Sequence, residues 1–208
     1  EKNQNIILSL VAVIALSVIG IYLYSNFVIK PKEQKAFNEM YYSQKKFDEA
    51  ILINNDSLYN LVLNGDGTNL GMLDMINEYG GTNAANLAAY YSGMIYLKMN
   101  DYQNSIKYLS EFNSDDMILG SLATGSIGDA FAELNQFEDA YEYYVKASKN
   151  NNSYTSPIYL FKAGLIAMKL EKFKKAEDYF SSIKSDYSKS AEAKNIDAYI
   201  SKARASYQ

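Results

Sequence analysis

The sequence predicts an all-α protein: an N-terminal transmembrane helix followed by an α-solenoid of antiparallel helix pairs. Two observations carry this. The run from Ile6 to Ile29 contains no charged residue and is dominated by Ile, Leu, Val and Ala. Between Ala89 and Ser188 a pattern of small and aromatic residues then recurs three times in a fixed register. A hydrophobic content of 48%, with 20 tyrosines and nine phenylalanines, supplies enough apolar surface for a core built largely of aromatics.

Taking the chain in order, the apolar run would be about 36 Å long as a helix, enough to cross a hydrocarbon core of about 30 Å with some tilt. Tyr22, Tyr24 and Phe27 gather at its far end, as aromatic side chains do at a membrane interface. Lipid is therefore the expected surroundings of residues 6–29. A cleavable signal peptide would have a shorter apolar stretch and a small-residue cleavage site, and neither is present. Lys30-Pro31 should end or kink the span, because the residue before proline avoids the helical region. Residues 1–30 then form the anchor.

Residues 31–82 read as membrane-proximal helices. A helix is expected over 33–44, with Ala36, Phe37, Met40 and Tyr41 on one stripe. The segment Lys46-Phe47-Asp-Glu-Ala50-Ile51 shows the aromatic-then-alanine spacing of the later repeats and predicts an incomplete first unit. Asn64-Gly-Asp-Gly67 and Gly80-Gly81 mark turns around a short helix near residues 70–79. The first of these stretches lacks the Gly-Lys-Ser/Thr ending of a phosphate loop, and its acidic residues miss the calcium-loop positions.

Residues 83–188 hold the recurrence. Gly93, Gly128 and Gly164 stand 35 and 36 residues apart. Nine residues after each comes an aromatic (Tyr102, Phe137, Phe173) and twelve after, a small residue (Ser105, Ala140, Ala176). Sixteen after comes Leu109, Tyr144 or Phe180. Glycine on one helix facing a small residue on the next lets two backbones cross closely, with a turn at Asn100-Asp101, Asn135-Gln136 and Glu171-Lys172. Such pairs bury their apolar faces only by stacking. Asp115-Asp116 and Thr155-Ser156-Pro157 are expected helix starts. A closing helix over residues 190–205, within the terminal segment 189–208, would cap the stack with a polar face.

The motifs Ala89-Tyr-Tyr-Ser-Gly93-Met-Ile-Tyr96, Ile127-Gly128-Asp-Ala-Phe131 with Phe137-Glu-Asp-Ala140, and Ala163-Gly164 with Phe173-Lys-Lys-Ala176-Glu-Asp-Tyr-Phe180 resemble tetratricopeptide (TPR) repeats, whose period is close to 34 residues. Ser105 replaces the usual alanine, and Ala167 the usual aromatic. The resemblance implies a curved stack whose first helices line a concave groove for an extended peptide or partner helix. Projected onto this sequence, that groove would carry Leu87, Tyr90, Met94 and Leu97, then Leu122, Gly125, Asp129 and Glu133, then Ile158, Phe161, Leu165 and Lys169. The same positions would equally serve as core beneath the closing helix.

Chemistry is mostly excluded. The chain has no cysteine and no histidine, which removes Cys/His zinc sites, Ser-His-Asp and Cys-His nucleophiles and any imidazole base. The carboxylate pairs Asp115-Asp116 and Glu138-Asp139 diverge by about 100° along a helix and cannot converge on one bond. A net charge of −4 with a single arginine, Arg204, argues against nucleic acid. No enzyme, cofactor or metal is expected.

One span followed directly by a short acidic TPR domain resembles the layout of the YfgM-type ancillary subunits of the bacterial Sec translocon. That likeness implies an inner-membrane protein with a periplasmic TPR domain, associated with SecYEG and with a PpiD-type chaperone, that handles unfolded polypeptide. Against it, Lys30, Lys32 and Lys35 follow the span while only Lys2 precedes it, a count that puts the repeats in the cytosol unless basic residues precede Glu1. A scaffold of another envelope assembly and a cytosol-facing import or chaperone receptor are the alternatives.

Overall fold

In the computed structural model the described residues are 2–208, all-helical and without a strand; Glu1, the first residue of the expected anchor, lies outside them. They form two compact units, one ending at Ala88 and one beginning at Ala89.

In the first unit α1 (Lys2–Tyr24) passes through a π-helical turn (Ser25–Ile29) into α2 (Lys30–Ile53). From Ile7 to Ile53 this is one helix of 47 residues, long and apolar enough in its first half to cross a membrane. The helix therefore does not end at Lys30-Pro31, where the sequence predicts an end or a kink. Pro31 lacks an N–H and its ring presses on the carbonyl four residues back. Here the Lys30 amide bonds to the Ser25 carbonyl, five residues back, and this wider turn directly before the proline makes room for the ring.

The incomplete first repeat is corrected too. The helix expected over 33–44 and the segment Lys46–Ile51 both lie in α2, with no turn between them. The chain reverses only at Asn54, left-handed at φ 53°, and Asn55, whose side chain accepts from the Leu58 amide at the start of α3 (Asp56–Asn64). Ala36, Met40, Ser43 and Ala50 of α2 are buried, as are Tyr59, Val62 and Leu63 of α3 and Met72 and Met75 of α4 (Met72–Glu78).

Polar ties hold the loops to α2. Ser43 donates to the Leu70 carbonyl at 2.6 Å, and Lys32 to the Gly80 carbonyl at 2.9 Å. The Glu33 carboxylate accepts the Asn83 and Ala84 amides at 2.9 and 3.0 Å, at the start of α5 (Asn83–Lys98), the helix in which the unit boundary falls. The Asn64–Gly67 stretch is a turn, organised by Asp66, whose carboxylate accepts the Thr68 and Asn69 amides. Those bonds hold its pKa well below the usual carboxylate range.

The second unit is a stack. α6 (Tyr102–Glu111), α7 (Met117–Glu133), α8 (Phe137–Ser148), α9 (Ser156–Lys169), α10 (Phe173–Asp186) and α11 (Ile196–Ala205) each pack on their successor. A Cβ on Gly93 would stand 2.5 Å from Leu109, one on Gly128 2.8 Å from Tyr144, and one on Gly164 2.4 Å from Phe180. The residue at the sixteenth position thus covers the glycine of its own pair. It also belongs to the core shared with the next helix: Leu109 with Ala123 and Ile127, Tyr144 with Tyr159 and Ala163, Phe180 with Ile196 and Ile200. Ser105, Ala140 and Ala176 are fully buried.

Each pair turns in the same way. Asn100, Asn135 and Glu171, seven residues after the glycine, are left-handed at φ 60°, 59° and 57°. The amides of Asp101, Gln136 and Lys172 bond to the carbonyls of Tyr96, Phe131 and Ala167, five residues back, closing three Schellman motifs.

Asp116 caps α7 by accepting the Ile118 and Leu119 amides, as its position suggests. Thr155 does not cap α9: its hydroxyl accepts from Asn152, whose side-chain oxygen takes the Thr155 amide instead. The closing helix begins at Ile196 instead of residue 190. Its Ile196, Ile200 and Ala203 cover Phe180 and Ile183, while Ser201, Lys202 and Arg204 stay exposed and Arg204 pairs with Glu177 at 2.5 Å.

Candidate functional site

Among the clefts that open on the second unit, two are lined by residues projected onto the groove. The first, of about 500 Å³, is lined by Leu97, Lys98, Asn100 and Tyr102 from the first pair, Asp129, Ala132, Glu133 and Tyr144 from the second, and Lys162 from the third. Asp129 is its hub. One carboxylate oxygen accepts both the Lys162 ammonium and the Tyr144 hydroxyl, each at 2.6 Å, and so links α7, α8 and α9.

Lys162 also lies 5.5 Å above the Tyr144 ring and 5.7 Å above the Tyr159 ring, a cation held over two stacked aromatics. Burial, reinforced by the charge of Asp129, pushes the phenols of Tyr144 and Tyr159 well above the ordinary tyrosine value. Both stay protonated, so Tyr144 remains a donor. Glu133 is exposed and accepts from Tyr102 at 3.5 Å. With Lys98 and Lys162 against Asp129 and Glu133, the lining is balanced in charge.

The second cleft, of about 450 Å³, lies among α9, α10 and α11 and is lined by Leu165, Met168, Lys169, Phe173, Phe180, Tyr199, Lys202 and Ser206.

The residues projected onto the groove are divided between the clefts and the packed interior. Leu97, Asp129 and Glu133 meet in the first cleft, and Leu165 and Lys169 in the second. Tyr90 and Met94 pack on the Leu109–Ile127 core, with the Tyr90 ring 5.2 Å from Phe112. Phe161 is packed between Phe180 and Tyr199 at 5.8 and 4.9 Å. Ile158 packs on the Tyr144 core, and Gly125 is buried beneath Tyr159. Leu87 is half-buried on the part of α5 that belongs to the first unit.

The projection missed Lys98, Tyr102, Tyr144 and Lys162, and in the second cleft Tyr199 and Lys202. On α9 the face that meets the clefts is Lys162–Leu165–Lys169, centred about 70° round from Phe161. Lysines at positions 162 and 169, seven apart, were the sequence signal for that phase.

Residues 87–115 and 159–190 match the tetratricopeptide repeat family model. These two segments carry tetratricopeptide repeats. The two TPR matches fall on α5/α6 and α9/α10, and α7/α8 between them repeats the same glycine contact and turn. TPR units are protein-interaction modules, and no grouping of acidic side chains able to hold a metal occurs among the described residues. No curated protein matches the sequence.

Proposed function

We propose that the protein is a membrane-anchored docking module of the bacterial inner membrane. Its place would be that of an accessory subunit of the SecYEG translocon, with the repeats in the periplasm receiving emerging polypeptide or a PpiD-type chaperone. The observation that carries the tether is the exposure of α1. Every side chain from Ile7 to Tyr24 is exposed, among them Leu10 at 62%, Leu16 at 68% and Ile21 at 71%. A helix apolar on all faces needs a hydrocarbon solvent, which a bilayer supplies. Docking is supported by the TPR repeats and by the clefts at Asp129 and Leu165, and the Sec setting by the YfgM-type layout of span and acidic repeats.

Affinity capture of the full chain in mild detergent is expected to recover SecYEG subunits and a PpiD-type chaperone. Recovery of unrelated envelope components alone would remove the Sec assignment and leave a scaffold of another assembly. Protease added to spheroplasts should digest the chain beyond Pro31. The lysines at 30, 32 and 35 favour the opposite orientation, a cytosol-facing receptor, for which full protection is the expected result.

A further inference from the structure

We infer that the cleft among α9, α10 and α11 docks a polypeptide segment that pairs apolar side chains with carboxylates. The inference rests on reading the protein as a docking module and names the partner chemistry of one of its surfaces. Leu165, Met168, Phe173 and Tyr199 form an apolar wall over the buried Phe180. Leu165 is 40% exposed, and the methionine adapts to irregular partners. Lys169 and Lys202 are the charged groups in the lining, and no carboxylate joins them.

That charge sign separates the two clefts. At Asp129 the lysines are matched by carboxylates, whereas here they are not. The Lys169 ammonium sits 3.5 Å from the centre of the Phe137 ring, which positions the cation without neutralising it. Two carboxylates on the flanking helices are engaged elsewhere, Glu177 with Arg204 and Tyr207 and Asp197 with Lys184. A cationic recess on a chain of net charge −4 draws an acidic segment. The wall beneath it rewards aliphatic and aromatic side chains.

The test uses the full chain in detergent micelles and three fluorescein-labelled synthetic peptides, read by fluorescence anisotropy. One alternates leucine and phenylalanine with aspartate and glutamate. In the second the acids are replaced by lysine, and in the third the apolar residues by serine. The first should bind about tenfold tighter than either other, with an affinity that falls as salt rises. K202Q, at an exposed side chain, should weaken it about threefold. K169E/K202E should transfer the preference to the lysine peptide, with helicity by circular dichroism confirming that the variant is folded.

Equal binding of the three peptides, or an unchanged preference in K169E/K202E, overturns the assignment. Lys149→Glu, at an exposed lysine outside both clefts, should leave the preference intact, and a preference that moves with it overturns the placement. If the wild type still captures partner proteins but shows no peptide preference, this inference alone falls. If it captures none and binds no peptide, the docking reading falls with it.

Discussion

At the scale of single residues, close approach and burial decide most of what substitution will do. Gly125 is the tightest position: a Cβ there would stand 1.9 Å from the Tyr159 ring. Tyr159 is only 3% exposed and stacks on Tyr144, so it cannot swing clear. Alanine gains about 1 kcal/mol of helix propensity over glycine, but overpacking costs about 1–3 kcal/mol. Gly125→Ala is therefore expected to lower stability, by up to about 2 kcal/mol in urea denaturation, and a stabilised variant would show that Tyr159 is loosely held.

The buried phenols give a second residue-scale expectation. Unfolded tyrosines ionise near pH 10, whereas Tyr144, Tyr159 and Tyr179 have their pKa values raised in the fold, chiefly by burial. Their contribution is complete below about pH 10 and is lost as pH climbs from there toward the raised values, by up to about 1.4 kcal/mol per pH unit for each phenol. Tyr159 donates only a long 3.5 Å bond to the Leu122 carbonyl. Tyr159→Phe should thus change little at pH 7 and flatten the decline above pH 10, measured by denaturant midpoints across that range.

At the scale of elements, the turns show what was legible in the sequence. Spacing located all three, because a glycine crossing and a left-handed residue at a fixed distance are local demands that fix residue type. Glu171 satisfies the geometry poorly. An L-residue other than asparagine or aspartate at φ 57° costs about 1 kcal/mol relative to glycine, while Asn100 and Asn135 tolerate it. Glu171→Gly is expected to raise stability by about 0.5–1 kcal/mol and Asn135→Gly by less. Equal gains would mean that the side chain at 171 makes a contact that compensates.

What the sequence concealed had both local and distant causes. Pro31 reads as a break because one residue cannot reveal that a π-helical turn precedes it. Phe161 reads as groove because its burial is decided by Tyr199, 38 residues later on the closing helix. The first pair's missing turn has a local cause: Lys45-Lys46 lacks the left-handed asparagine that Asn54 provides.

At the scale of the whole molecule, a stack in which each helix packs mainly on its successor should lose stability from the end that is uncovered. α11 is the one layer over Phe180 and Ile183, and it contributes two buried isoleucines, Ile196 and Ile200, besides Ala203. At about 1.5–3 kcal/mol for each buried isoleucine, ending the chain after Tyr187 should destabilise the second unit by up to about 3–6 kcal/mol. Area-based values are upper bounds, yet this remains a large share of a domain's usual margin. The loss should also be directional. Hydrogen exchange should accelerate first in α10, then in α9, with α6 and α7 affected last, and the exposed Phe180 surface should bind a hydrophobic dye. Exchange that accelerates uniformly through all helices would show that the stack unfolds as one indivisible body, and an unchanged urea midpoint would deny α11 its capping role.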